Sequence, residues 1–511
     1  MGDLDNQVKQ LVDTIIERVD GSQDDADLRA VRNRLDQPLR VAIAGRVKAG
    51  KSTLLNALVG EQLAPTDAGE CTKIVTWYRH GPTYRVTLDL IDGSTRTVPF
   101  SRQSGAIEVD LQTLTAADVR RIVIEWPSRR LEDITLIDTP GVGSINAEVS
   151  ARTVAFLTPD DDRPVEADAV LYLMRHMHAD DLSFLESFHD DELAHASPIN
   201  AIGLLSRADE IGVGRPNAMR VADRISLRYR SDPRLRRLCQ TVRPIGGLLA
   251  ETAATLTENE FRLLEQLALL DRRRIDALLL SADRFTADLP VDFTADKANP
   301  TDPTEPGRRT GSSEVTLTPL ARRHLLDRFG LYGVRVTLPM IRQGRVTSAG
   351  ELAEALEKKS GIVELRQDLL ERFAARRNVL QARSALAAVE RLLAMSGPKV
   401  QNEFLPEVER IRSGAHAMAE IRLLNDYRRG LLDLTVDDGA EMERLLGTDG
   451  HHPTDRLGLD SDADPDTVRR ELVAAIDKWR RRGEHPLASR EVVNAATVVV
   501  RTCEGTLAAL G

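Results

Sequence analysis

The sequence predicts an α/β domain with a doubly wound, mostly parallel sheet, joined to an all-α helical bundle. Between residue 39 and about residue 250, short apolar runs typical of buried strands, such as "VAIAG" and "NAIGLLS", alternate with helical segments. Further along the chain, leucines recur at three- and four-residue spacing, which is typical of amphipathic helices. The first pattern predicts the sheet, and the second predicts the bundle.

Four local patterns predict individual elements. Apolar residues at helical spacing predict a helix over residues 4–20, ahead of the first strand. Asp92 and Gly93 predict a hairpin turn, and we interpret "RIVIEW" and "DITLID" as adjacent strands. An apolar stripe predicts one continuous helix over residues 362–396, roughly 50 Å long at about 1.5 Å per residue.

Composition excludes several classes of protein. A length of 511 residues predicts about three domains. A net charge of −10 and only 4% aromatic residues argue against a nucleic-acid partner. Three widely spaced cysteines without a C-x-x-C motif predict a reduced, cytosolic protein. The N-terminus lacks the apolar core of a signal peptide, and no apolar run reaches the length of a membrane span, so we expect membrane contact to be peripheral.

The stretch "GRVKAGKS" at residues 45–52 matches the phosphate-binding P-loop, G-x-x-x-x-G-K-S. A predicted strand precedes it and a predicted helix follows it, so free backbone N–H groups and the helix dipole converge on an anion. We expect Lys51 to contact the β- and γ-phosphates and the Ser52 hydroxyl to bind Mg²⁺. The nucleotide contacts predicted in this region are Gly45, Val47, Lys48, Ala49, Gly50, Lys51, Ser52 and Thr53.

A second motif, "DTPG" at residues 138–141, ends the apolar run "ITLI". The pattern D-x-x-G at the end of a strand, downstream of a P-loop, is the one that GTPases use to sense the γ-phosphate. We therefore expect Asp138 to hold Mg²⁺ through water and the Gly141 amide to meet the γ-phosphate.

A third motif predicts selection of guanine. "GLLSRADE" places Ser206, Arg207 and Asp209 after a buried strand, where GTPases carry N/T-K-x-D. The Asp209 carboxylate can accept the N1–H and N2–H₂ of guanine, and Arg207 can lie over the base, although Asp209 could instead cap the next helix. Backbone amides at Ile245 and Gly246 are expected near the guanine O6 atom.

A GTPase also needs a threonine that closes over Mg²⁺, and Thr66, Thr72 and Thr76 lie in the right interval. Thr72 is the preferred candidate because it follows the flexible segment "DAGEC" and precedes a strand-like run. The predicted metal ligands are therefore Ser52, Thr72 and Asp138.

Lys48 is an additional lysine within the P-loop. Many GTPases place a glutamine directly after the D-x-x-G motif, but this chain has Val142 there. Eukaryotic dynamins use a glutamine and a serine within the P-loop, where this chain has Val47 and Lys48. One hypothesis is that the Lys48 ammonium replaces a monovalent cation between the β- and γ-phosphates, so that the predicted catalytic residues are Lys48, Lys51, Ser52 and Thr72. The alternative is that Lys48 faces solvent or pairs with a nearby carboxylate.

With these motifs in place, the chain resembles the bacterial dynamin-like GTPases and, among them, the isoniazid-inducible Ini proteins of actinobacteria. The stretches that carry the resemblance include "AGRVKAGKSTLLNALVG", "LAPTDAGECTKIVTWYRHGP", "SRADEIG" and "WRRRGEHPL", and they extend over nearly the whole chain. The resemblance implies that Thr72 in "GECTK" is the switch threonine. It also implies that the helices at 4–20 and 489–510 are partners in a neck.

On this resemblance the chain divides into four parts: N-terminal neck helices (1–38), a dynamin-type GTPase domain (39–285), a flexible linker (286–318) and a helical neck and trunk (319–511). The implied substrate is GTP with Mg²⁺ as cofactor. The implied partners are an anionic membrane at the inner face of the plasma membrane, contacted peripherally, and either a second copy bound through GTPase domains or a paralogous dynamin-like partner.

Two other classes of function fit parts of the sequence. A nucleotide-switched scaffold would bind a protein partner through its helical half. A ribosome-associated GTPase is disfavoured by the acidic balance and by the lack of a recognisable RNA-binding module.

Overall fold

The computed structural model describes residues 2–19, 24–64, 74–103, 106–140, 167–175, 200–287, 317–373, 376–428 and 430–510. Thr72, Gly141 and Val142, and most of the predicted linker, lie outside these residues. The described part contains eleven strands, which are β1 Leu39–Gly45, β2 Thr76–His80, β3 Arg85–Leu90, β4 Thr95–Val98, β5 Phe100–Gln103, β6 Ala106–Val109, β7 Val119–Trp126, β8 Ile134–Asp138, β9 Ala169–Met174, β10 Ala201–Ser206 and β11 Thr241–Ile245.

The helices fall into two runs. Those before residue 288 are α1 Gly2–Val19, α2 Asp24–Arg34, α3 Lys51–Val59, α4 Ile211–Gly214, α5 Ala218–Ser231, α6 Pro233–Leu238, α7 Gly247–Thr255, α8 Glu258–Leu269, α9 Arg272–Leu278 and α10 Ala282–Thr286. Those after residue 316 are α11 Pro319–Arg342, α12 Ala349–Ser360, α13 Ile362–Asp368, α14 Arg377–Met395, α15 Pro398–Gly414, α16 His416–Arg428, α17 Val436–Leu445, α18 Pro453–Leu457, α19 Pro465–Gly483 and α20 Arg490–Ala509.

Nine strands form one mixed sheet in the order β11-β10-β9-β1-β8-β2-β7-β3-β4. The block from β11 to β8 is parallel throughout. Beyond it, β2 runs antiparallel to β8 and parallel to β7, and β3 and β4 form the predicted hairpin around Asp92 and Gly93. The predicted fold class is confirmed. The interpretation of "RIVIEW" (β7) and "DITLID" (β8) as neighbours is wrong, because β2 lies between them.

Each face of the sheet has its own apolar core, which makes the sheet doubly wound. One core packs Leu54, Leu55 and Leu58 of α3 against the sheet. The other packs Leu235 and Leu238, both from α6, against the opposite face.

Helices α11–α13 pack against the α/β domain. Residues of α11 and α12, such as Phe329 and Leu352, share a core with Leu249 of α7. The helix-forming stretch after them, including Ile362 and Phe373, enters the same core as α3 and the sheet. The proposed domain boundaries stay a prediction, but this packing favours grouping residues 319–373 with the sheet. Within the following stretch of α11, Tyr332 and Leu338 are buried in this packing.

The predicted helix over residues 362–396 is not continuous. It is divided into α13, a π-helical turn at Leu369–Phe373 and α14. The predicted apolar stripe is buried as expected, but it faces the sheet rather than a bundle core. A π-helical turn inserts one residue and rotates the chain that follows it. In the turn, Arg372 donates from Nε to Oδ1 of Asp368 over 2.6 Å, an ion pair that periodicity does not reveal.

The N-terminal and C-terminal helices belong to different clusters. The apolar face of α1, which includes Val8 and Ile15, packs with α2, α14 and α15. Helix α20 packs mainly with α19, and its Val499 lies in a cluster with Trp479. The predicted pairing of the two terminal helices is therefore wrong. Amphipathic spacing identifies a buried face, but it does not identify the element that covers that face.

No helix in the described ranges is long and apolar enough to cross a membrane.

Asn56, on α3, connects the helix to the chain that follows it. Its side chain is 1% exposed. Oδ1 accepts from the backbone N–H groups of Leu63 and Ala64 over 2.9 and 2.8 Å. Nδ2 donates to the Ala64 carbonyl over 3.1 Å and to Oε1 of Glu251, on α7, over 2.8 Å. All four hydrogen-bonding positions of the amide are therefore in use.

We expect Asn56→Ala to lower the free energy of unfolding by about 2–4 kcal/mol, because it leaves two buried backbone N–H groups and Glu251 without their partner. Urea denaturation followed by circular dichroism measures this. The matched control is Asn402→Ala on the exposed face of α15, for which a change of less than about 0.5 kcal/mol is expected. Equal stability of the two variants would contradict the role assigned to Asn56.

Candidate functional site

The P-loop connects β1 to α3 through three residues with unusual backbone angles. Gly45 has φ 147°, and a Cβ there would lie 2.5 Å from the Leu173 carbonyl oxygen of β9, so glycine is required for the strands to pack. Gly50, with φ 97°, has no described heavy atom within 4 Å of such a Cβ, so it borders open space. Lys48 also has a positive φ, 63°, and is exposed together with Val47. Ala49 is buried.

Lys51 begins α3 and folds back over the loop. Its Nζ donates to the backbone carbonyls of Gly45 and Arg46 over 3.2 and 3.4 Å. Burial lowers the pKa of Lys51, and the negative charge of Asp138 partly opposes that effect. The ammonium is therefore held on the loop at the N-terminus of a helix, where an anion is favoured.

Ser52 and Asp138 meet beside this lysine. The Ser52 hydroxyl donates to Asp138 Oδ2 over 3.1 Å, and Asp138 Oδ1 is buried without a hydrogen-bond partner among the described residues. Burial raises the pKa of Asp138, while the charge of Lys51 and the Ser52 hydrogen bond act in the opposite direction.

A buried, unpaired carboxylate oxygen beside a hydroxyl fits the oxygen ligands that Mg²⁺ prefers. Within the described ranges no group of three or more His, Cys, Asp or Glu side chains could hold a metal. Of the three predicted metal ligands, Ser52 and Asp138 lie together here, and Thr72 lies outside the described residues.

The third predicted motif lies where β10 ends. Ser206 is buried and its Oγ has no partner within the described part of the chain. Arg207 adopts a left-handed conformation, with φ 51°, and its guanidinium binds Glu210 over 2.9 Å. Asp209 lies in a 3₁₀ turn, Ala208–Glu210, and is 4% exposed. It does not cap α4, whose N-cap residue is Glu210 and has no side-chain cap hydrogen bond.

The pKa of Asp209 is raised to about 6, mainly by burial and also by the charge of Glu210, while a hydrogen bond from its own backbone N–H and the charge of Arg207 act in the opposite direction. The backbone after β11 passes directly beside this carboxyl. A Cβ on Gly246 would lie 3.3 Å from Asp209 Cβ, and one on Gly247 would lie 3.8 Å from Cγ2 of Thr53. Residues 246 and 247 therefore touch both the start of α3 and Asp209, while Ile245 is buried in the sheet core.

The structure brings the predicted residues of the P-loop, β8, β10 and β11 to the same edge of the sheet. Thr72 and Gly141 lie outside the described residues. Thr76, the third candidate threonine, lies in β2 and donates from its hydroxyl to the Ile74 carbonyl over 3.3 Å.

Sequence reasoning missed two residues at this edge. Arg175 follows β9, and its guanidinium binds the Glu210 carboxylate over 2.9 Å, so that Glu210 holds both Arg175 and Arg207. Thr139 donates from Oγ1 to the Ile43 carbonyl over 2.9 Å and ties the end of β8 to β1. The position of Arg175 directly after a parallel strand was the available signal, because such strand ends meet at the ligand edge.

Comparison with known proteins is consistent with this geometry. A profile of the Dynamin family matches residues 41–186. The chain is 37% identical to the isoniazid-induced protein IniC of Mycobacterium tuberculosis over 478 residues, which cover 93% of this chain and 91% of that protein. The chain belongs to the dynamin family. Its similarity to IniC extends through both the α/β and the helical parts of this dynamin-like protein.

Other dynamin relatives match shorter segments. The isoniazid-induced protein IniA of M. tuberculosis is 34% identical over 152 residues, which cover 28% of this chain and 22% of IniA. A bacterial dynamin-like protein of Nostoc punctiforme is 32% identical over 137 residues, 24% of this chain and 20% of that protein. A solved structure of an oligomerised bacterial dynamin pair aligns with 99% of this chain and 75% of its own, with 12% identity and a TM-score of 0.31.

We expect the affinity of this dynamin-like protein for GDP to fall about tenfold between pH 7.5 and pH 5, because only the ionised carboxyl can accept two guanine N–H groups. The raised pKa of Asp209 sets the pH range of this effect. Its carboxylate form predominates above about pH 6 and is lost as the pH falls through that value. Titration calorimetry across this range measures the effect.

The GDP phosphate also titrates in this range, so the matched control is Asp209→Asn measured at the same pH values. We expect that variant to bind GDP weakly and to lack the additional pH dependence. The same slope in both proteins would show that Asp209 does not read the base.

Proposed function

We propose that this dynamin-family protein hydrolyses GTP to GDP and phosphate, and that hydrolysis is coupled to association of GTPase domains and to peripheral membrane remodelling. The observation that carries the proposal is the meeting of Lys51, the Ser52–Asp138 pair and Asp209 at one sheet edge. A triphosphate on the P-loop would reach Asp138 with its γ end and Asp209 with its base.

In this proposal, each described group of the chain has one task. Lys51, already held at the helix N-terminus, binds the β- and γ-phosphate oxygens. Ser52 and Asp138 would hold the magnesium ion, which would supply positive charge to the phosphate groups. Thr72 and Gly141 would close the site from the two segments outside the described residues.

Lys48 is proposed to supply the charge that stabilises the transition state. Phosphoryl transfer depends on positioning and on neutralising charge that develops on the phosphate oxygens, rather than on covalent catalysis. Lys48 is exposed in a left-handed turn of the P-loop, on the open side of the site. Association with a second GTPase domain would bury its ammonium, strengthen its field and fix it near the bridging oxygen.

Guanine is the proposed base because Asp209 is buried and unused in a cap, and because the Ser206 hydroxyl beside it lacks a partner in the described structure. Adenine cannot offer the pair of donors that a carboxylate accepts. The Arg207 guanidinium would have to leave Glu210, which also binds Arg175, in order to lie over the base.

Several observations support a peripheral membrane role. The relatives that match this chain include bacterial dynamin-like proteins, and the described helices include none that spans a bilayer. The turn between α19 and α20 exposes Leu487 by 88%, next to the basic last turn of α19. In that last turn of α19, Arg480 binds Glu504 and Arg482 binds Asp438, so these two cations are already paired within the chain. An apolar contact by Leu487 would therefore have to contribute to lipid binding. The proposed location is the inner face of the plasma membrane, with a second copy or a paralogous dynamin-like protein as partner.

We expect the purified protein to release phosphate from GTP with Mg²⁺, and Lys48→Ala to lower the rate at least tenfold without weakening GDP binding more than about twofold. Replacing Na⁺ by K⁺ should leave the wild-type rate unchanged within about twofold, since the ammonium already provides the cation. Phosphate release at matched ionic strength measures both effects.

Lys48→Arg, which keeps the charge, is the control and should retain more activity than Lys48→Ala. Strong activation of the wild type by K⁺, or a fully active Lys48→Ala, would refute the role of Lys48. Lys51→Ala tests the proposal as a whole, because it should abolish nucleotide binding. Hydrolysis that survives Lys51→Ala would assign the activity to a contaminant.

We expect the protein to sediment with vesicles that contain phosphatidylglycerol and not with purely zwitterionic vesicles. Leu487→Asp should reduce the bound fraction several-fold, because it places a charge at the membrane contact. The control is Leu269→Asp, between α8 and α9, where the leucine is 81% exposed. An equal loss of vesicle binding in both variants, or no binding by the wild type, would contradict the proposed membrane contact. Slow GTP turnover that does not respond to lipid would favour the nucleotide-switched scaffold instead.

A further inference from the structure

A cleft of about 370 Å³ lies between the edge of the sheet and the helical part of the chain. Arg230 of α5, Arg236 of α6 and Arg243 of β11 line one side. Arg372 of the π-helical turn and Arg428 of α16 line the other. Five guanidinium groups from two parts of the chain therefore surround one cavity.

Carboxylates balance only part of this charge. Asp368 accepts from Arg243 Nε over 2.7 Å and from Arg372 Nε over 2.6 Å. Glu443, on α17, accepts from Arg428 over 2.7 Å and from Arg236 over 2.9 Å.

Asp368 lies behind the wall, and the acids that line the cavity itself are Glu443 and Asp449. The lining therefore carries five guanidinium groups and two carboxylates. Burial lowers the pKa of Arg230, and the neighbouring charge of Arg243 lowers it further. Asp223 acts on Arg230 and Glu364 acts on Arg243, but neither carboxylate lines this cavity, so the wall of the cleft is itself net positive.

Arg428 contributes a donor without an acceptor. Its side chain is 5% exposed, and Nε is used by Glu443. Its Nη1 is buried and has no hydrogen-bond partner among the described residues. Guanidinium nitrogens can only donate, and buried donors are almost always paired. The Nη1 group of Arg428 therefore lacks an acceptor that a ligand in the cleft would provide.

The positive surface continues along the free edge of β11. A second cavity, of about 310 Å³, shares Arg230 and Arg243 with the first and is also lined by three cations, Arg220, Lys358 and Lys359, and by two carboxylates, Asp223 and Glu364. The backbone of β11 offers little to a ligand here, because Arg230 Nε already occupies the Val242 carbonyl over 2.9 Å. Cationic side chains therefore make up most of the charged groups that line the two cavities.

We propose that the cleft binds a small anion of the phosphate class that carries several negative charges and bridges the α/β domain and the helical part. Guanidinium groups match phosphate oxygens in geometry and bind them through charge-assisted hydrogen bonds. The volume lies within the range of small-ligand pockets, about 300–1,000 Å³. Arg230 and Arg236 would hold the anion from one side and Arg428 from the other. A free polyphosphate and a phosphorylated lipid headgroup share this chemistry.

Titration calorimetry with pyrophosphate on the full chain tests the proposal, with ionic strength matched by KCl. The P-loop can also bind pyrophosphate, so the measurement uses the Lys51→Ala background throughout. We expect binding to persist in that background and to weaken at least tenfold when Arg236→Gln and Arg428→Gln are added. This outcome does not depend on GTP hydrolysis.

The matched control is Arg237→Gln, which removes the same charge from the exposed residue that follows Arg236 on α6. It should leave the dissociation constant unchanged within about twofold. Because Arg428 is buried and its loss could unfold the chain, Arg236→Gln alone, with its fold checked by circular dichroism, must also weaken binding several-fold. Equal effects of Arg236→Gln and Arg237→Gln would overturn the proposal, as would the absence of pyrophosphate binding in the Lys51→Ala background.

Two further measurements identify the source of the anion and test whether the anion holds the α/β domain and the helical part together. Sedimentation with vesicles that contain phosphatidic acid should depend on Arg236 and Arg428 if the anion is a lipid headgroup, and should be unaffected by them if it is a free phosphate. Saturating pyrophosphate should raise the midpoint of thermal unfolding of the parent and of Arg237→Gln by several degrees, but not that of the double variant. A shift of equal size in the double variant would also contradict the proposal.

Discussion

The parallel register of β8, β1, β9, β10 and β11 is the constraint on which the candidate site depends. Ile43 pairs with Asp138, Gly45 pairs with Leu173, and Ser206 pairs with Ile245. Each strand therefore ends at the same edge, where the chain turns into a loop or helix. Motifs that are about 160 residues apart in sequence meet there because parallel strands present their carboxyl ends together. A shift of register would separate the groups that the site needs.

The helical part contacts this edge directly. The turn between α12 and α13 packs on the end of β11: the Gly246 N–H donates to the Ser360 carbonyl over 2.9 Å, and a Cβ on Gly361 would lie 2.4 Å from the Pro244 carbonyl oxygen. Gly246 in turn lies beside Asp209. One short segment therefore connects the proposed base site to α12 and α13, and the Arg243–Asp368 pair lies immediately behind it. A movement of the backbone at the proposed base site would therefore first displace the turn between α12 and α13.

Local signals predicted much of the fold and of the candidate site. The P-loop, the strands around it and the hairpin at Asp92 follow from residue spacing and turn chemistry, because those features involve neighbours in sequence. The insertion of β2 between β7 and β8 could not be predicted in this way, since strand pairing depends on distant partners. The same applies to the ion pair of Arg243 with Asp368, which are 125 residues apart, and to the helices that cover α1 and α20.

The sequence by itself determined the chemistry that is available: a phosphate loop with two lysines, an acid at the end of a strand and a carboxyl suited to guanine. These are properties of short segments, and their spacing is visible without coordinates. Only the tertiary structure decided which of these groups are buried and which lack a partner. Burial raises the pKa of Asp209, and within the described part of the chain it leaves Asp138 Oδ1 without a donor and Arg428 Nη1 without an acceptor. Desolvation arises from the whole surrounding packing, so no local pattern contains it.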